Sequence, residues 1–299
     1  MDARKTEMRH PRAEGFDTLP AHEALRVLAR AQVDAAAAAE AAVPEIARAA
    51  EVAARALAGG GRLVYAAAGS SGLMALADAL ELPGTYGISR DRIVVLLAGG
   101  TEALMAMTGS PEDDDAAAEA EVRRLGVGPA DALIAVTASG STPYPLAAAK
   151  AAAAAGAKTI GVANNRGAPL LEQVDVGICL ETPPEVVAGS TRMGAGTAQK
   201  IALNMLSTMM AVHLGHVHDG YMVNLVADNI KLRDRARRMV MEIASVSEAE
   251  AENALVRTNG AVKAAVLAAR GVETPEALLG ASGDRLRVAL ASMTEGGAR

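Results

Sequence analysis

The chain has 299 residues, 51% of them hydrophobic but only 2% aromatic, and its 29 basic residues against 35 acidic ones leave a net charge of −6. That length buries one large α/β domain with a satellite, or two modest domains. The acid excess and the lack of rings to stack on bases argue against a nucleic-acid surface, and no apolar run reaches the ~20 residues that cross a bilayer.

The polar, mixed-charge start lacks the apolar core of a secretory leader. The single cysteine, Cys179, excludes an intramolecular disulfide and a cysteine-based zinc site. A cytoplasmic protein with no membrane or nucleic-acid partner is expected. In chain order, residues 1–20 form an arm punctuated by Pro11, Gly15 and Pro20, a candidate for ordering against a partner subunit. Ala21 to Ala58 is alanine-rich with helical periodicity, broken at Pro44 and stopped by Gly59, Gly60 and Gly61. Short apolar runs then alternate with helical segments. Strands are expected at Arg62–Ala68, Arg92–Ala98, Ala132–Ala138, Lys158–Ala163 and Val176–Leu180. Helices are expected at Gly72–Leu82, just after Gly100, at Glu112–Leu125, and at Pro145–Ala155, where Gly156 ends the last. Apolar runs without alternation suit a parallel sheet buried on both faces, so the fold class is α/β, doubly wound, with about five parallel strands flanked by helices. Beyond Thr191, residues 191–214 and 221–245 read as two long helices. Short helices separated by Gly260, Gly271 and Gly280 then form a small C-terminal helical region.

Two stretches repeat one device. "YAAAGSSG" (65–72) and "VTASGSTP" (136–143) are apolar runs that end in Gly, Ser and Thr and lead into helices. A glycine-rich loop entering a helix presents unpaired N–H groups and the positive end of the helix dipole to an anion. One such loop is as well explained by Ser and Thr acting as helix N-caps. Two at strand ends of one sheet, with Gly189, Ser190 and Thr191 entering a third helix, favour an anion site. Its candidate ligands are Ser70, Ser71, Ser139, Ser141, Thr142, Ser190 and Thr191. Phosphate on a sugar suits such a site, and the lack of a GxxxxGK[ST] loop and of a clean GxGxxG points away from nucleotides.

Two carboxylates stand out. Glu81 ends the first crossover helix in "ADALELP", and Glu112 lies in "PEDDD" after the second strand. A carboxyl group among apolar residues has a raised pKa and serves as an acid, while a second one stays ionised and serves as a base. Acids at a helix start are also what the dipole alone favours, so the catalytic and structural readings both stand at this point. His213, His216 and His218 read as a helix end rather than a metal site. Met205, Met209 and Met210 read as packing, and residues 164–167 as a turn from which Asn164 reaches toward a ligand.

"YAAAGSSGLMALADALELPGTYG", "TASGSTPY", "PEVVAGSTRMGAGTAQKIALNMLSTMM" and "GYMVNLVADNIKLRDRARRMV" together resemble the N-acetylmuramic acid 6-phosphate etherases of the sugar isomerase (SIS) domain superfamily, collinearly from about Gly59 to Val240. The resemblance implies an N-terminal arm and helices at 1–58, a SIS-type sugar-phosphate-binding sandwich at 59–245 and a C-terminal helical region at 246–299. It also implies a homodimer with the site near the subunit interface, no metal or organic cofactor, and a role in peptidoglycan recycling. The family opens the sugar ring, removes the C2 proton that the C1 aldehyde acidifies, expels D-lactate from C3 and adds water. Its two catalytic glutamates fall on Glu81 and Glu112. Glu81 is assigned as the acid for the ether oxygen and Glu112 as the C2 base, an order that the residues alone leave open. The chain departs from the family at three usual cations, where it has Leu73, Ser141 and Gly194. An aldose–ketose isomerase of sugar phosphates, or a non-catalytic sugar-phosphate sensor like the glucokinase regulatory protein, are the alternatives.

Overall fold

The computed structural model describes residues 5–107 and 109–296. The first four residues of the expected arm, Thr108 and the last three residues of the C-terminal region lie outside the described residues. The chain forms two compact units. The first comprises the described residues of Met1–Leu80 with Asp91–Ser207, and the second Glu81–Arg90 with those of Thr208–Arg299.

The first unit is built on five parallel strands, β1 (Leu63–Ala67), β2 (Ile93–Leu97), β3 (Ala132–Val136), β4 (Lys158–Ala163) and β5 (Val176–Cys179), in the order β2-β1-β3-β4-β5. All five residues of β1 and of β3 are buried, which is why these strands read as unbroken apolar runs. Side chains alternate between the two faces. Val64, Ala66, Leu133 and Ala135 pack in one cluster with Ala118 and Val122 of α5 (Asp115–Arg124), the alanines of α6 (Pro143–Ala154) and Leu170 of α7 (Pro169–Glu172). On the other side α2 (Val43–Ala58), which follows α1 (Ala21–Ala41), packs on β1, β3 and β5. The expected doubly wound sandwich is therefore present.

The break expected at Pro44 falls at Ala42, and Pro44 sits in the first turn of α2, where its missing N–H costs nothing. The crossover helix α3 runs Gly69–Tyr86, three residues earlier and four later than the glycine and proline signals suggest. It starts almost directly at the end of β1, and it continues past Pro83. A short α4 (Gly100–Ala106) follows β2. Glu112 precedes α5 in a 3-10 turn, Ser110–Asp113, rather than starting that helix.

The second unit contains the end of α8 (Gly194–His213), then α9 (Ile230–Ala244), α10 (Glu248–Arg257), α11 (Val262–Ala269), α12 (Pro275–Ala281) and α13 (Leu286–Gly296). Met239, Val240, Leu255, Val266, Leu267, Leu279 and Leu286 form its core. The helix expected from residue 221 begins only at Ile230, where the Asn229 side chain accepts a hydrogen bond from the Leu232 N–H. The chain before it turns at Gly215, Asp219 and Gly220, all with positive φ. Gly280 lies inside α12, and the break expected there falls at Gly283, with φ 61°.

Candidate functional site

Strand order sets where a ligand fits. The chain passes from β1 outward to β2, then returns past β1 to β3 and continues the other way. The crevice outside the carboxyl ends of β1 and β3 is therefore the switch point at which open α/β sheets bind ligands. Ala67 and Val136 are register partners, so the two Gly/Ser/Thr loops leave the sheet side by side.

The β3 loop holds a knot of hydroxyls. Thr137 Oγ1 lies 2.7 Å from Thr142 Oγ1, and Ser139 Oγ lies 3.3 Å from each of them. Ser139 Oγ also accepts from the Ser141 N–H at 3.1 Å and from Ser141 Oγ at 3.2 Å. Thr142 occupies the N-cap position of α6, yet its side chain makes no capping bond. The capping explanation thus fails for this hydroxyl. Gly140 has φ 70°, and a Cβ there would overlap the Ala168 methyl group, so only glycine closes the loop this tightly. Thr137 belongs to the cluster but was absent from the expected ligands. Its place in "VTASGSTP" was the available signal.

The β1 loop meets a carboxylate. Gly69 opens α3 with φ 52°, and a Cβ there would overlap Glu112 Oε1. Glu112 is half-buried. Burial first, then the neighbouring Asp113, push its pKa above the ordinary glutamate value. The helix-dipole role belongs to Asp114, whose carboxylate accepts from the Ala117 N–H at 2.8 Å as the N-cap of α5. Ser70 and Ser71 lie in the first turn of α3, where backbone N–H groups have no partner within the helix.

Glu81 is exposed on α3 and belongs to the second unit. Three residues before it on the same helix, and within the first unit, Asp78 is buried. It accepts from Tyr65 Oη at 2.7 Å, Asn204 Nδ2 at 2.8 Å and Ser207 Oγ at 2.8 Å. Burial raises the Asp78 pKa, against the opposite pull of those three bonds and of Lys200.

Ser190 and Thr191 lie in the turn before α8, and among the described residues no hydrogen bond ties them to the other five candidates. The N-terminus of α8 is filled by the chain itself. The buried Glu185 carboxylate accepts from the Gly194 and Ala195 N–H groups at 3.0 and 2.9 Å. Asn164 is fully buried and holds Gln199 Nε2 at 2.9 Å. Its neighbour Asn165 is the residue that contacts the β3 loop, donating to the carbonyls of Ala138 and Ser139. At the three positions where the resemblance implies a cation, Leu73 is exposed, Ser141 lies within the hydroxyl cluster and Gly194 lies against Glu185.

His213 ends α8, while His216 and His218 lie beyond it, His218 bridged to Tyr221. No group of three or more His, Cys, Asp or Glu able to hold a metal occurs among the described residues. No helix among them is long and apolar enough to cross a membrane.

A family model described as SIS domain matches residues 29–164. The chain is 45% identical to the N-acetylmuramic acid 6-phosphate etherase of Deinococcus radiodurans, over 89% of this chain and 87% of that one. It is 40% identical to the protein of that name from Rubrobacter xylanophilus, over 96% and 93%, and 39% identical to that from Aeromonas hydrophila, over 88% of each. Among solved structures it is similar to a phosphoheptose isomerase from Neisseria gonorrhoeae, with a TM-score of 0.50 and 21% identity over 65% of this chain and 98% of that one, a likeness of fold alone.

Proposed function

The chain belongs to the N-acetylmuramic acid 6-phosphate etherase family, and from that premise we propose that it is a carbon–oxygen lyase cleaving the lactyl ether of N-acetylmuramic acid 6-phosphate. The products are N-acetylglucosamine 6-phosphate and D-lactate. In this family context, the observation that carries the reading is the half-buried carboxylate of Glu112 against Gly69 at the carboxyl end of β1, with a hydroxyl cluster after the adjoining β3.

In the reaction the opened sugar presents an aldehyde at C1, which acidifies the C2 proton. Glu112 removes it. The raised pKa of Glu112 supports this role, because a carboxylate that holds its proton more tightly is the stronger base. The electron pair forms the C2–C3 double bond as the C3–oxygen bond breaks, and Glu81 protonates the departing lactate oxygen. Water then adds to the double bond, its oxygen at C3 and a proton at C2. Ser139, Ser141 and Thr142 are the proposed phosphate ligands. Ser70 and Ser71 orient the sugar, and Ser190 and Thr191 complete the ligand set. The same proposal includes a cytoplasmic homodimer acting in peptidoglycan recycling. Leu73 and Leu80 support the dimer: they are seven residues apart on α3, 41% and 65% exposed, and so form an apolar stripe along one side of the helix.

The test is D-lactate release from purified protein and N-acetylmuramic acid 6-phosphate in ¹⁸O-water. Wild-type protein should release lactate and leave the label at C3. Glu81→Gln and Glu112→Gln should each lower kcat by about 10²–10⁴-fold, the usual contribution of a general acid or base. Conversion to a ketose without lactate would replace this reading with an isomerase, and tight binding of a sugar phosphate without turnover would replace it with a sensor.

A further inference from the structure

The start of the chain is tied to the hydroxyl loop by its own residues. Thr6 is 3% exposed although Lys5 and Glu7 on either side are exposed. Its backbone N–H donates to Asn165 Oδ1 at 3.3 Å, and its Oγ1 accepts from Asn165 Nδ2 at 3.1 Å. Asn165, 5% exposed, also donates through Nδ2 to the carbonyls of Ala138 and Ser139, at 3.1 and 3.3 Å. One buried amide therefore joins the arm to the two peptides that lead into the Ser139, Ser141 and Thr142 hydroxyls. Within the arm, Thr6 is held by residues of its own chain. Lys5 adds an ion pair to Glu181 at 2.6 Å, which Glu181 shares with Arg166 at 2.8 Å. These groups are exposed enough that the pairs contribute little. The buried Thr6–Asn165 contact is the substantive tie.

We propose that Thr6 and Asn165 are positioning residues for the sugar-phosphate site, setting the orientation of the Ala138 and Ser139 peptides and through them the hydroxyls that hold the phosphate; this rests on the assignment of those hydroxyls to phosphate made above. Four contacts converge on one Asn side chain, and a side-chain amide offers two donor hydrogens and one acceptor oxygen. In Thr6→Val the backbone N–H still donates to Asn165 Oδ1, but the Oγ1 that accepts from Nδ2 is gone, so one contact that orients the amide toward the loop carbonyls is lost. The contact reaches the Ala138 and Ser139 carbonyls and neither Glu81 nor Glu112, so ground-state binding of the phosphate is what it controls.

The experiment compares wild-type, Thr6→Val, Thr6→Ser and Lys5→Ala proteins for KM and kcat in lactate release. Calorimetric titration with N-acetylglucosamine 6-phosphate and with inorganic phosphate accompanies the kinetics. Thr6→Val should raise KM and weaken both ligands by about three- to tenfold, the range of one lost hydrogen bond, with kcat within about twofold. Thr6→Ser should restore wild-type values, and Lys5→Ala should match wild type. Unchanged KM and ligand affinity in Thr6→Val overturn the proposal, even if that variant melts earlier. So does failure of wild-type protein to bind either phosphate ligand. Wild-type protein that binds N-acetylglucosamine 6-phosphate but releases no lactate, with binding weakened in Thr6→Val, sinks the etherase reading and leaves this one standing.

Discussion

Glu112, Asp113 and Asp114 are adjacent acids that sequence alone cannot rank. Backbone direction separates them: Asp114 closes the N-terminus of α5, while the turn at Ser110–Asp113 brings Glu112 onto Gly69. The raised pKa of Glu112 has a sign that stability measurements can read. Folding favours the protonated form, so its stabilising effect is full below the ordinary glutamate value of 4.5 and is lost as pH rises through the raised value. Glu112→Gln should therefore melt higher than wild type at pH 7 and level with it near pH 4, while losing lactate release. For the same reason the acidic limb of the wild-type pH–rate profile should lie above 4.5. Gly69→Ala tests the other side of the contact. The left-handed backbone disfavours alanine by about 1–2 kcal/mol, and the methyl group would displace the Glu112 carboxylate. The expected outcome is a lowered urea midpoint and a fall in kcat. A fully active Gly69→Ala protein would show that the Glu112 position is not critical.

Among the elements, α3 carries the most consequence. It links the β1 loop to Glu81, and it is pinned through Asp78 to Tyr65 of β1 and to Asn204 and Ser207 of α8. Tyr65→Phe removes one donor and leaves a buried acid with two. A loss of about 1–3 kcal/mol in urea unfolding is expected, the usual cost when a buried polar group loses a partner. No change would mean that water or another donor replaces the phenol. The five strands were legible to within two residues, because burial on both faces leaves a plain apolar signature. Their order was not, since it depends on which strands neighbour which across crossovers. Asp78 was overlooked because "ADALEL" reads as an ordinary amphipathic helix, and two of the three side chains that satisfy the acid lie 126 and 129 residues away along α8. Glu185 escaped notice for the same kind of reason: it fills a helix end that local pattern presented as open. Thr6 and Asn165 lie 159 residues apart, and no local pattern connects them.

At the scale of the whole molecule, the two units differ in their response to acid. In the second unit, His216 Nδ1 is buried without a partner among the described residues. Burial, with the nearby Lys263 charge, pushes the His216 pKa from 6.5 down to about 4. The folded state thus holds His216 neutral, and the stability this brings is present above 6.5 and lost as pH falls toward 4. Thermal midpoints should drop across that window, and less steeply in His216→Gln; identical slopes would assign the acid sensitivity elsewhere. The chain also carries its own optical label for following such transitions. It has no tryptophan and four tyrosines, two in each unit: Tyr65 and Tyr144 in the first, Tyr86 and Tyr221 in the second. Three of the four phenols donate to carboxylates, Tyr65 to Asp78, Tyr144 to Glu121 and Tyr221 to Glu242, while Tyr86 pairs with the Thr208 hydroxyl. A phenol bonded to a carboxylate emits weakly, so intrinsic fluorescence should brighten rather than dim on unfolding. Tyr86→Phe with Tyr221→Phe would leave a signal from the first unit alone, so the melting of the strand-containing unit can be followed apart from that of the helical unit without any added dye.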